Sequence, residues 1–339
     1  MSGVNQLTYY PFVNAVGPLV TSSKTALFDV IRGLSIMNAK NYEYTDRSGN
    51  MQGVLCDITL TCNVPIEAKL VAIPNSWKSR NATRKFHFER DDMFARAGIT
   101  ESEMGKYGKT IRPYFDLCHA EDEGLSTQFA YWMVNPMIVT TGEECEDPYR
   151  MRPATGGEWT RTRLTAADPS PLVVAGTVQN ADEWTIHVCD EHDFSGPPWE
   201  SVGMIQAYNE DRMEVVTPDA DETITANNPL ALLSSQTVTG GQAADIAEEQ
   251  ELEATPYDIA DGGDSIRKIQ IADVRTVPYS DVATSKVYQQ TTTLRNVFLP
   301  FGYVAMEFDK ILYQGNPEDY LSVEFDVHGV LDCKDWIEA

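Results

Sequence analysis

GVLCDITLTCNVPIEAKLVAIP, residues 53–74, is the stretch whose reading decides the fold. Cys56, Ile58, Leu60 and Cys62 alternate in it with Leu55, Asp57, Thr59 and Thr61. Successive side chains of a strand point to opposite faces, so this pattern describes a strand with one face in a core and one in water. Cys56 and Cys62 share the face of Ile58 and Leu60, which makes them small core residues rather than ligands. With Cys118, Cys145, Cys189 and Cys333 they total six in 339 residues, too sparse for a disulfide framework, so reduced thiols are expected.

Moving outward, similar β-branched and aromatic runs recur between turns. They are RKFHFER (84–90), EWTIHVC (183–189), VGMIQAY (202–208), RMEVVTP (212–218), SIRKIQIADVRTV (265–277), TTTLRNVFLPFGYVAMEF (291–308) and LSVEFDVHGVLDC (321–333). FAYWMVNPMIVTT (129–141) reads as a buried strand pair. Helical signals are few. SSKTALFDVIRGLSI (22–36) predicts a short helix capped by Ser22 or Ser23, and residues 90–108 a pair of helical turns with a Thr100–Glu103 capping box. AADIAEEQELEA (243–254) predicts about three helical turns. There is no internal repeat at solenoid periods. The expected fold is mainly β: two β-sandwich units side by side, with short helices in loops. The expected division is an extended N-terminal arm (1–23), a first sandwich (24–180) and a second, strongly acidic sandwich (181–339).

Charge is the unusual quantity. The chain has 51 acids and 26 bases, a net charge of −25. Residues 1–180 hold 20 acids and 18 bases, and residues 181–339 hold 31 and 8. A polyanion of this kind is repelled by nucleic acid and anionic membrane. The asymmetry fits either a saline habitat or one half turned to solvent and the other to neighbours. The start lacks a signal-peptide pattern, and no apolar run approaches the ~20 residues that span a bilayer, so a soluble, non-exported chain is expected.

Catalytic motifs are missing. There is no GxSxG, HExxH, GxGxxG or CxxC, and Gly108-Lys109-Thr110 fails as a phosphate loop because Glu103 stands where its first glycine belongs. His187, Cys189 and His192 in IHVCDEHDF suggest zinc, since a strand would put His187 and Cys189 on one face. No second ligand pair stands nearby, so a strand end running into an acidic turn is the simpler reading. In QAADIAEEQELEATPYDIADGGDS (242–265), Asp258, Asp261 and Asp264 could surround calcium, but their spacing departs from a calcium loop. That stretch reads mainly as a solvated helix and loop. His87 and His328 read as structural. No enzyme, catalytic residue, metal ligand or cofactor is expected.

The organisation of the chain, with the terminal run NVFLPFGYVAMEFDKILYQGNPEDYLSVEFDVHGVLDCKDW (296–336), resembles viral major capsid proteins of the jelly-roll kind. It is most similar to the double jelly-roll capsid proteins of tailless icosahedral viruses of bacteria or archaea. The resemblance implies two eight-stranded jelly rolls per subunit and homotrimeric capsomers. It also implies a virion location after synthesis in host cytoplasm, with copies of itself and other virion proteins as partners. Residues 1–23 contain no charged side chain, so direct nucleic-acid binding through the arm is not expected. That would suit a shell with an internal membrane. Tyr9, Tyr10, Pro11 and Phe12 would lie across a neighbouring subunit. The nine bases between Lys78 and Arg112 would dock on an adjacent acidic half, or pair internally with Glu89, Asp91, Asp92, Glu101 and Glu103. The alternatives are a β-sandwich adhesin, spike or carbohydrate-binding module using Trp77, Trp132, Trp159, Trp184 or Trp199, and a hydrolase with paired carboxylates.

Overall fold

The alternating stretch lies in the middle of a sheet. The computed structural model describes residues 5–9, 24–63, 65–96, 98–100, 102–104, 110–124, 131–134, 137–140, 150–153, 161–166, 172–174, 177–179, 182–192, 201–213, 268–277, 280–281, 286–287, 289–311 and 321–338. The first strands are β1 (Gln6–Tyr9), β2 (Lys24–Asp29), β3 (Gln52–Cys62) and β4 (Ile66–Ala72). Short strands follow: β5 (Tyr131–Val134), β6 (Met137–Thr140), β7 (Arg150–Pro153), β8 (Arg163–Ala166), β9 (Leu172–Val174), β10 (Thr177–Gln179), β11 (Asp182–His187) and β12 (Ser201–Gly203). The last are β13 (Ile269–Thr276), β14 (Ser280–Asp281), β15 (Lys286–Val287), β16 (Gln290–Pro300), β17 (Tyr303–Ile311) and β18 (Leu321–Asp332). The helices are α1 (Val30–Asn38), α2 (Trp77–Arg96), α3 (Leu117–Gly124) and α4 (Met204–Met213).

The chain is mainly β, and its two large sheets pack face to face with few helices around them. One sheet runs β1-β18-β3-β16 and is antiparallel; the other runs β13-β4-β17-β2-β5, with β5 parallel to β2. Smaller sheets are β12-β11-β8 and the pairs β9-β10, β6-β7 and β14-β15. Both large sheets join strands from either side of position 180: β3 pairs with β16 and β18, and β4 with β13 and β17.

Side-chain alternation explains the packing. Cys56, Ile58, Leu60 and Cys62 of β3 are fully buried, as are Val323 and Phe325 of β18. Tyr9, Phe28 and Phe325 meet across the two sheets with ring centroids 5.3–5.6 Å apart. The other face of β3 carries cross-strand polar pairs, Thr59–Thr293 at 3.2 Å, Thr61–Thr291 at 3.1 Å and Asp57–His328 at 3.1 Å. β2 and β17 are buried on both faces, which is why their sequences read as continuous apolar runs.

Several local expectations are corrected. RKFHFER is not a strand: it lies inside the 20-residue α2, which also takes up residues 90–96 of the expected helical turns. Ser76 begins α2 by accepting from the Ser79 N–H at 3.1 Å. Thr100 and Glu103 do bond to each other, the carboxylate accepting from the Thr100 N–H at 2.8 Å, but in a turn. Residues 24–29 are strand rather than helix, and the cap of α1 is Asp29, whose Oδ1 accepts from the Arg32 N–H at 2.9 Å. VGMIQAY supplies only the end of β12 before α4 begins at Met204. The two strands of FAYWMVNPMIVTT do not pair: β5 joins β2, and β6 joins β7. Within the arm, β1 zips onto β18 of the same chain and Tyr9 is buried in its own core, so Tyr9 is no tie to a neighbour. Tyr10, Pro11 and Phe12, and the helix expected over 243–254, lie outside the described residues.

Between β16 and β17 the chain changes sheets through Phe301 and Gly302, both at positive φ, 55° and 66°. A Cβ on Gly302 would meet Ile31 Cγ1 at 2.8 Å, so glycine is needed there for both space and conformation.

Candidate functional site

Three clusters of polar side chains stand out among the described residues. The most buried centres on Arg161. Its guanidinium donates to Asp29 Oδ2 at 3.2 Å, Tyr44 Oη at 2.8 Å and Tyr303 Oη at 2.5 Å. Tyr44 donates to Asp29 Oδ2 at 2.5 Å, and Tyr303 donates to the Pro113 carbonyl at 2.9 Å. The guanidinium carbon also stands 5.4–5.7 Å from the rings of Tyr44, Tyr114 and Tyr303. Burial raises the Tyr44 and Tyr303 phenols, with Arg161 opposing the shift, so both stay protonated donors. Each of these contacts ties one element to another: β2 and α1 through Asp29, β17 through Tyr303, and residue 113 through its carbonyl. The cluster is a structural knot.

The second cluster surrounds His187 at the end of β11. Nδ1 lies 2.7 Å from Ser201 Oγ and Nε2 lies 2.8 Å from the Glu191 carbonyl. A carbonyl only accepts, so Nε2 carries the proton and Nδ1 accepts from the serine hydroxyl. Burial lowers the imidazole to about 4, holding it neutral. Cys189 is fully buried, and desolvation pushes its thiol well up. His192 Nδ1 accepts from the Gly203 N–H at 2.9 Å. The structure thus brings His187 and His192 against β12, while the Cys189 N–H donates to the Phe115 carbonyl, and both ring nitrogens of His187 are taken by protein. Among the described residues no group of three or more His, Cys, Asp and Glu side chains is placed to hold a metal ion. Asp258, Asp261 and Asp264 lie outside the described residues.

The third cluster adjoins the second. Asp116 begins α3: its Oδ1 accepts from the His119 N–H at 2.9 Å. Its Oδ2 meets Lys268 Nζ at 2.5 Å, and the same Nζ is 3.2 Å from Asp190 Oδ2. The Phe115 ring lies beneath, 5.6 Å from Nζ. Burial raises the Asp190 carboxyl, while Lys268 works against that shift. This triad was not read from the sequence, because 152 residues separate Asp116 from Lys268 and no local spacing links them.

The basic window is largely absorbed by the chain itself. Arg112 forms a fork on Glu43, with Nη2 and Nε donating at 3.0 and 3.1 Å. Arg90 donates to the Thr110 carbonyl at 2.5 Å and lies over Phe94, Arg80 donates to Asn75, and Lys78 is buried beside Trp77. Of the acids expected to be partners, Asp91 takes His87 at 3.2 Å. Lys106 and Lys109 lie outside the described residues.

Trp77 packs edge-on against Tyr208, Trp336 stacks on Phe298, and Trp184 rests on the core. Trp159, Trp199 and the side chain of Trp132 lie outside the described residues. The most exposed aliphatic side chains described flank β13: Ile269 at 42% and Val277 at 58%. Among the described residues β13 pairs only with β4 and β16 only with β3, so each forms one edge of its sheet, with β5 and β1 at the opposite edges. Compared with protein families, curated proteins and solved structures, the chain matches nothing.

Proposed function

We propose that this chain is a structural protein that assembles with copies of itself, in the manner of a viral major capsid protein. The observation that carries the reading is the edge of the sandwich. The β13 edge, with Ile269 and Val277 exposed at its ends, would offer apolar surface to another subunit, the Val277 N–H itself donating to Gln290 Oε1 at 2.9 Å. The three polar clusters support the same reading, since their bonds hold distant elements of the chain together.

In this reading the partners are further copies, as homotrimers, and other virion proteins, with the virion as location. A sugar-binding role is less well supported, because the tryptophan side chains described pack against protein. The test is light scattering and electron microscopy of the purified chain at low and high salt. A trimer of about 113 kDa, three times 37.8 kDa, or closed shells and sheets, is the expected result. A monomer at every salt concentration overturns it.

A further inference from the structure

We propose that Lys268 and Asp116 are joined by an amide bond that the folded chain forms by itself, making this junction a self-modification site. The inference stands apart from the assembly reading and rests on the chemistry of three side chains. An amine, a carboxyl carbon and a second carboxyl group must meet out of water, because water competes for every polar group involved. Here Nζ lies against Asp116 Oδ2 at 2.5 Å, and Asp190 reaches the same nitrogen at 3.2 Å. Asp116 is 0% exposed and Lys268 20%, while Asp190 is 31% exposed. The Phe115 ring closes one side.

Each group has a role in the condensation. Lys268 begins as an ammonium and Asp116 as a carboxylate. Asp190 takes one proton from the ammonium, leaving an amine whose lone pair attacks Cγ of Asp116. Negative charge gathers on Oδ1, where the His119 N–H at the start of α3 already donates at 2.9 Å. Nζ then gives up a second proton and Asp190 returns the first, both to Oδ2, which leaves as water. One C–N bond forms, one C–O bond breaks, one water is released, and Asp190 ends as it began. Nothing is oxidised or reduced. Burial raises the Asp190 carboxyl, which suits this relay because it holds a proton more readily than an ordinary aspartate.

Such a bond would tie the start of β13 to α3 across 152 residues of chain. The test uses the full-length protein, denatured and digested with a protease that spares modified lysine. The expected result is a branched peptide pair joining Lys268 to Asp116, lighter than the two separate peptides by the mass of one water. Lys268→Arg, which keeps the charge, is expected to remove the pair, and Asp190→Asn to reduce it at least tenfold. Separate peptides, with cleavage after Lys268 in the unaltered chain, overturn the proposal even if every variant fails to fold. A lost water mapped to any other residue overturns it as well. An undiminished pair in Asp190→Asn overturns the proton relay.

Discussion

Asp29 and Arg161, 132 residues apart in the chain, form an ion pair at 3.2 Å with only 3% of each side chain exposed. The carboxylate serves two elements at once, since Oδ1 caps α1 while Oδ2 receives the guanidinium. Removing the guanidinium in Arg161→Leu leaves a buried charge without its partner and should destabilise the fold by about 3–5 kcal/mol. Asp29→Asn keeps a good cap residue but loses the charge. The double variant should therefore lose much less than the two single losses added together, because neither charge remains uncompensated. Urea unfolding of the four proteins measures this; strictly additive losses would refute the coupling.

His187 predicts an acid-sensitive stability. Its pKa is about 4 in the folded chain against 6.5 for an ordinary imidazole. The unfolded chain thus binds the proton first, so stability is full above roughly pH 6.5 and declines down to about pH 4. The loss across that window is about 3 kcal/mol for this group. Asp116 and His192 act on the ring electrostatically, and Asp190 and Lys268 stand beside Asp116, so the comparison must be with His187→Gln. The variant should be less stable at pH 7, with a flatter profile between pH 6.5 and 4. Parallel profiles for the two proteins would show that His187 does not carry the effect.

Gly302 and Gly98 both sit at positive φ, but only Gly302 is crowded. Alanine at either position adds backbone strain of about 1–3 kcal/mol. At Gly302 the new Cβ also meets Ile31 and Val54, whereas at Gly98 nothing stands within 4 Å. Thermal unfolding should rank Gly302→Ala well below Gly98→Ala. Equal melting temperatures would mean that the sheet-changing turn relaxes freely.

The β13 edge gives a prediction for assembly. Ile269→Asp and Val277→Asp place charge on exposed positions, so the isolated subunit should keep its stability within about 0.5 kcal/mol. Association should weaken at least tenfold if this edge meets another subunit. Sedimentation at matched protein concentrations reads the effect, and unchanged association would direct attention away from β13.

The strand at residues 52–62 was legible because one of its faces is dry and the other wet, so burial writes itself into the alternation. α2 was hidden for the opposite reason. Its buried positions include Ser79, Thr83 and His87, polar residues that erase the apolar periodicity of a helix, while Phe88 is exposed. The segment 84–90 then mimics strand alternation. α1 was placed too early because β2, buried on both faces, shows no period-two signal of its own. The clusters around Arg161 and Lys268 were invisible for a topological reason: their members come from distant segments that only the folded sheets bring together.

The pairing of β1 with β18 bears on when this protein can fold. Residues 6–9 find their partners at 323–326, and β3 lies between β18 and β16. A ribosome making the chain from its N-terminus therefore releases β1 to β4 long before the strands that cover them exist. Neither large sheet can close until synthesis has passed residue 300, and among the described residues β1 has no strand partner until residues 323–326 have emerged. For most of its synthesis the nascent chain must hold half-made sheets with their dry faces open.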